Sequence, residues 1–145
     1  MKKFGYPDTL IKDYNNWVVL LRPQQATLGA LVLICKNEVD TFSKITPEAF
    51  TELKEITTAV EHHLKSCFSY DKINYLMLMM VDNDVHFHIL PRYAQTQVFN
   101  QIAFHDPGWP GPPDLSQIIP KNETVNQKIL QTLQKVFAEG IIKGK

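Results

Sequence analysis

The nine residues Asp84-Val85-His86-Phe87-His88-Ile89-Leu90-Pro91-Arg92 constrain this chain more than any other stretch. Side chains alternate across a β-strand, so the segment reads as a strand with Asp84, His86 and His88 on one face and Val85, Phe87 and Ile89 on the other. The apolar side has to be covered, which calls for a sheet with a packed layer on it. The polar side sets two imidazoles and a carboxylate at intervals of roughly 6–7 Å along the backbone. Buried polar groups need partners, and two adjacent histidines compete for them. Such a strand is a place for chemistry.

The rest of the chain supplies the sheet and its cover. Trp17 to Arg22 and Ala30 to Cys35 are apolar, β-branched-rich runs separated by the turn-forming Pro23-Gln24-Gln25-Ala26-Thr27-Leu28-Gly29, which predicts a strand–loop–strand hairpin. A helix is expected from Thr46, with Pro47 in its first turn, Glu48 near its positive end, and Phe50, Leu53, Ile56, Val60 and Leu64 on one apolar face. His62 and His63 fall late in that helix and read as surface residues on different faces. Ile73 to Val81 is an apolar run of strand length, and the turn pair Asp82-Asn83 joins it to the histidine strand as a tight antiparallel hairpin. Met77, Met79 and Met80 read as core filler.

Four prolines make 104–113 a loop, and Asn122 is placed to cap a final helix bearing Val125, Ile129, Leu133, Val136 and Phe137, with Gly140 near its end. Strands joined by short turns give an antiparallel sheet and an α+β class.

A chain of 145 residues with no repeats or linkers reads as one domain, residues 1–145. Fifteen basic and fifteen acidic residues leave no field to gather nucleic acid or anionic lipid, so an anionic ligand needs a local site. Cys35 and Cys67 lack metal-ligand spacing and read as reduced thiols. The basic N-terminus carries no signal-peptide apolar run, and no segment approaches membrane-spanning length. The expected location is the cytoplasm.

Three uses of the histidine strand compete. A neutral imidazole attacks phosphorus when an acceptor holds its far nitrogen, and a second imidazole two residues on reaches an oxygen of the same phosphate. Asp84, His86 and His88 also have the composition of a two-histidine, one-carboxylate metal site. Finally, the pair could be structural.

The run His86 to Arg92 resembles the end of the histidine triad signature of the HIT superfamily, His-φ-His-φ-His-φ-φ with φ apolar, often followed by Pro-Arg. The resemblance extends upstream to the Asn-bearing strand from Asn74 to Val81. Downstream it reaches Asp106-Pro107-Gly108-Trp109-Pro110, similar to an Asp-Pro-x-Trp-Pro element of a bacterial HIT-like branch. It covers about residues 10–115, with the C-terminal helix at about 122–139.

It implies a HIT-like antiparallel sheet of about five strands, with a helix after the first hairpin and a C-terminal helix. It further implies a nucleotide-binding homodimer without cofactor or metal. Relatives hydrolyse or transfer nucleoside monophosphates from dinucleoside polyphosphates, including diadenosine tetraphosphate, or from nucleoside phosphoramidates. In that scheme His86 is the nucleophile, His88 contacts the phosphate and leaving group, and the main chain at Asp84 orients His86.

Two departures stand out. Asp84 occupies the first triad position. Only Val81-Asp82-Asn83 precedes it, in place of the Gly-rich phosphate cradle of many relatives, although the Asp-Pro-x-Trp-Pro branch shares the shorter turn. A non-catalytic nucleotide-binding protein is therefore the alternative. Arg92 reads either as a surface salt bridge or as a ligand for a distal phosphate. Asn74 and Arg22 are further nucleotide-binding candidates, and Trp109 reads as packing near the site. His105 and Asp106 carry little weight.

Overall fold

The computed structural model describes residues 1–80, 83–116 and 122–140. Strands β1 (Leu10–Asp13), β2 (Trp17–Leu21) and β3 (Leu31–Cys35) precede helix α1 (Pro47–Phe68). Strands β4 (Lys72–Leu76) and β5 (His86–Arg92) follow, then the hairpin β6 (Gln97–Phe99) and β7 (Ile102–Phe104), and finally helix α2 (Glu123–Glu139). The main sheet is five-stranded in the order β1-β2-β3-β5-β4, antiparallel throughout. The expected α+β class and five-strand sheet are what the chain adopts.

Alternation divides the sheet into two faces. Trp17, Val19, Leu21, Leu31, Leu33, Cys35 and Ile89 face the helices, where they pack with Ile56, Val60 and Leu64 of α1 and Ile129 and Leu133 of α2. The Trp17 indole Nε1 donates to the carbonyl of Ala49 at 2.9 Å, pinning the start of α1 to β2. Both helices begin as their sequences dictate: Thr46 Oγ1 accepts from the Ala49 amide, and Asn122 Oδ1 accepts from the Val125 amide.

On the opposite face Val18, Leu20, Val32 and Ile34 are covered by Met1, Phe4, Tyr6 and Leu10 from the N-terminal segment.

Several expectations change. β4 stops at Leu76, so Ile73 to Val81 is not one strand, and β4 and β5 are not joined by a tight hairpin. Leu76 pairs with His88, which leaves residues 77–85 between the strands. The left-handed φ of +54° at Met79 breaks the extended run. Met80 is 84% exposed rather than core filler. Val81 and Asp82 lie outside the described residues. β1, with four residues, and β6 and β7, with three each, are too short to announce themselves.

In α1 the buried stripe runs through Ala49, Ile56, Val60, His63, Leu64 and Phe68, while Phe50 faces outward against Phe42. His63 is therefore not a surface residue. It lies three positions beyond Val60 on the same stripe, and its ring sits 4.6 Å from that of Phe137 in α2. Burial, and then the charge of His62, lower its pKa.

Candidate active site

β5 begins at His86, so Asp84 is not a strand residue sharing a face with the histidines. It sits at a bend just before the strand. This changes which of its groups reaches the imidazole. The main-chain oxygen of Asp84 lies 2.7 Å from His86 Nδ1. A carbonyl only accepts, so Nδ1 carries the hydrogen, and the neutral ring then has its lone pair on Nε2. The Asp84 carboxylate turns elsewhere: it lies 3.5 Å from the N-terminal ammonium and borders an open groove with Glu38, Val39, Asp40, Lys44 and Asn83.

His86 and His88 stand on the face away from the helices, between Ile34 and Val32 of β3 on one side and, for His88, Leu76 of β4 on the other. Their ring centroids are 5.2 Å apart and nearly perpendicular. Both are buried, at 3% and 8% exposure. His88 Nδ1 is buried with no hydrogen-bond partner among the described residues. Burial first, and then electrostatic interaction with Arg22, His86 and Lys3, push the pKa of His88 down to about 4. His88 is thus neutral at physiological pH.

Arg22 reaches this neighbourhood from the end of β2. The loop behind it is stitched by Gln25, whose Nε2 donates to the carbonyls of Arg22 and Ala30 while its Oε1 accepts from the Gly29 amide. Gly29 holds φ +85°, and a Cβ there would meet the Phe68 ring at 2.9 Å. One Arg22 terminal nitrogen donates to the carbonyl of Gln24 at 2.6 Å, whereas Nε is buried without a partner among the described residues. A half-buried guanidinium whose Nε has no partner among the described residues, near a buried imidazole with a spare nitrogen, is a setting for an anion.

Arg92 and Asn74 belong to a different cluster. Arg92 is neither a surface ion pair nor open to a phosphate. It is 3% exposed, its Nε and one terminal nitrogen grip the two carboxylate oxygens of Asp106 at 2.7 and 3.0 Å, and its other contacts are Asn74 Oδ1 and the carbonyl of Gly111. The Asp106 carboxylate is fully buried and also accepts from the Tyr93 amide. Arg92 lies four residue steps beyond His88 along β5, about 13 Å of strand.

Trp109 lies at this far end too, lining a cavity of about 410 Å³ with Lys72, Asn74, Arg92 and Pro112. Asp106, given little weight in the sequence, is thus the residue that ties the proline-rich loop to the sheet. His105 is exposed, with Nδ1 2.7 Å from Thr96 Oγ1.

Among the described residues no group of three or more His, Cys, Asp or Glu is placed to hold a metal ion. Asp84, His86 and His88 therefore do not make the two-histidine, one-carboxylate set that is one of the competing readings. Among the same residues no helix is long and apolar enough to cross a membrane.

The fold and site define an α+β protein that presents a same-face imidazole pair on a central antiparallel strand, with the first imidazole oriented by a main-chain carbonyl. The HIT domain family matches residues 6–95, and the chain belongs to that family. Solved structures agree in fold. A histidine triad protein from Sinorhizobium meliloti 1021 superposes with a TM-score of 0.71 at 20% identity, over 93% of this chain and 98% of that one. A histidine triad protein from Marinobacter aquaeolei VT8 gives 0.72 at 20% identity, over 90% and 88%. The NitFhit protein of C. elegans gives 0.63 at 16% identity, over 89% of this chain and 27% of that one. No curated protein matches the chain by sequence.

Proposed function

We propose that the chain is a nucleotide hydrolase or nucleotidyltransferase that attacks a nucleoside α-phosphate through His86. The observation that carries this reading is the 2.7 Å contact between His86 Nδ1 and the main-chain oxygen of Asp84. It leaves Nε2 as the nucleophilic atom, and the residue change at the first triad position does not alter it, because any residue there offers a carbonyl.

The steps follow from that tautomer. Nε2 of His86 attacks the α-phosphorus of a dinucleoside polyphosphate or a nucleoside phosphoramidate. The bond to the leaving group breaks, and a nucleotidyl-histidine forms. The nascent imidazolium keeps its Nδ1–H on the Asp84 carbonyl. Water then attacks phosphorus, releases the nucleoside monophosphate and restores the imidazole. A neutral His88 donates a hydrogen bond to a phosphate oxygen or the leaving atom, and Arg22 offers its unused Nε–H to the same charge.

The carboxylate of Asp84 borders the outer groove and the N-terminal ammonium. Asn74, Arg92 and Trp109 support the sheet edge instead of holding nucleotide. The protein would work in the cytoplasm as a homodimer.

The test is turnover. Adenosine phosphoramidate and diadenosine tetraphosphate are incubated with the protein, and release of AMP is followed by chromatography. Wild type is expected to release AMP and His86→Ala to release none. Equal release from both proteins would contradict the assignment.

A second reading, nucleotide binding without turnover, is favoured by the 3% exposure of His86. Calorimetric binding of AMP with no product from either substrate would select it.

A further inference from the structure

We propose that residues 1–6 form a lid over the histidine pair, with Phe4 as its plug, and that this lid lifts before a phosphate reaches His86. The proposal builds on the reading of His86 and His88 as the reacting pair. Phe4 sits against both: its ring centroid is 5.6 Å from that of His86 and 5.7 Å from that of His88, edge-on to the latter. Nothing polar is offered to either imidazole by that ring, so it excludes water without satisfying His88 Nδ1. A nucleotide phosphate and the Phe4 ring compete for one face of the same two rings.

The way the segment is attached separates a lid from a piece of core. Among the described residues the backbone hydrogen bonds of residues 1–6 all close within residues 1–9: Phe4 and Tyr6 amides to Met1, Gly5 amide to Lys2, and Thr9 amide to Gly5. Thr9 Oγ1 adds a bond to the Phe4 carbonyl at 2.7 Å. The turn is thus a self-contained unit.

What seats it on the sheet is apolar contact of Met1, Phe4 and Tyr6 with Val18, Leu20, Val32 and Ile34, plus the ammonium 3.5 Å from Asp84. Firm attachment starts at Thr9, whose carbonyl accepts from the Leu21 amide. Gly5, at φ +84°, stands between plug and anchor. Such a unit lifts without breaking sheet hydrogen bonds. A ligand that needs the open form then binds more weakly by the fraction of time the lid is open.

Carbethoxylation by diethyl pyrocarbonate, mapped by mass spectrometry, tests this without relying on turnover. His62 and His105 are exposed and serve as internal references. In wild type His86 and His88 are expected to react about tenfold or more slowly than the references. In Phe4→Ala their rates rise about tenfold while His62 and His105 are unchanged, and Phe4→Leu, which keeps an apolar plug, falls between. Circular dichroism confirms that each variant is folded.

Wild-type His86 and His88 reacting as fast as the references would overturn the lid. So would folded Phe4→Ala and Phe4→Leu proteins that react no faster than wild type. Protection of Phe4→Ala by AMP reads the nucleotide assignment separately: its absence removes that assignment and leaves the lid resting on the rates.

Discussion

The two ends of β5 lie on one face of one sheet and are built on opposite terms. At its C-terminal end Arg92 spends its donors on Asp106, Asn74 and Gly111, and the buried carboxylate opposite it is equally engaged. At its N-terminal end His86 has one oriented nitrogen, while His88 Nδ1 and, nearby, Arg22 Nε have no partner among the described residues. Satisfied buried charge holds a structure in one arrangement, whereas unsatisfied buried polarity is a cost that a ligand removes on binding. The same strand thus ends in a clamp and begins in a site.

The comparison can be broken at several points, starting with the clamp. Arg92→Ala leaves the Asp106 carboxylate buried and unpaired, and a loss of about 3–5 kcal/mol is expected in urea unfolding. Any folded fraction should still carry out chemistry at His86. A loss under about 1 kcal/mol would mean that the cluster is not the clamp described.

At the other end, His88→Gln should cost little stability but slow AMP release roughly 10²–10³-fold, the usual effect of removing one donor aimed at developing charge. Asn74→Ala removes one neutral acceptor from the guanidinium, so about 1–3 kcal/mol of stability is at stake with KM unchanged. A raised KM would return Asn74 to the nucleotide site.

A further effect is expected in the pH dependence of stability. His88 is pushed from its ordinary value of 6.5 down to about 4 in the folded state. Between those values the unfolded chain binds a proton that the folded one does not. The contribution of His88 is therefore fully present above about 6.5 and is lost as pH falls toward 4. His63 acts with the same sign. Urea midpoints across that window should fall less steeply for His88→Asn than for wild type. Parallel profiles would show that burial of His88 is not felt by stability.

The sequence made some of this legible and hid the rest for physical reasons. Helix starts at Thr46 and Asn122 are readable because capping is a local rule, and so are the continuous apolar runs of β2 and β3 and the alternation of β5. Local rules do not say where a strand stops pairing, which is why Ile73 to Val81 shortens to β4 and the tight hairpin fails. They do not fix long-range partners either. Arg92 and Asp106 are fourteen residues apart, and only the returning proline-rich loop brings them together.

Phe4 gave no signal, because nothing in Lys2-Lys3-Phe4-Gly5 says which face of the sheet it will cover. The same holds for His63: a histidine late in a helix suits the dipole, but its place on the Ile56–Val60 stripe decided its burial. Asp84 was readable as the odd member of the motif. That its main chain contacts His86 while its carboxylate turns away needed the bend before β5.

The central claim is a covalent bond between His86 and a nucleoside phosphate. Rapid-quench mixing with diadenosine tetraphosphate carrying ³²P at the α-position, followed by base quench and peptide mapping, reads it directly. The expected result is an acid-labile label on the peptide containing His86, rising and decaying within a turnover in wild type and absent in His86→Ala. Product formation with no labelled protein at any time, or label retained in His86→Ala, would contradict the account.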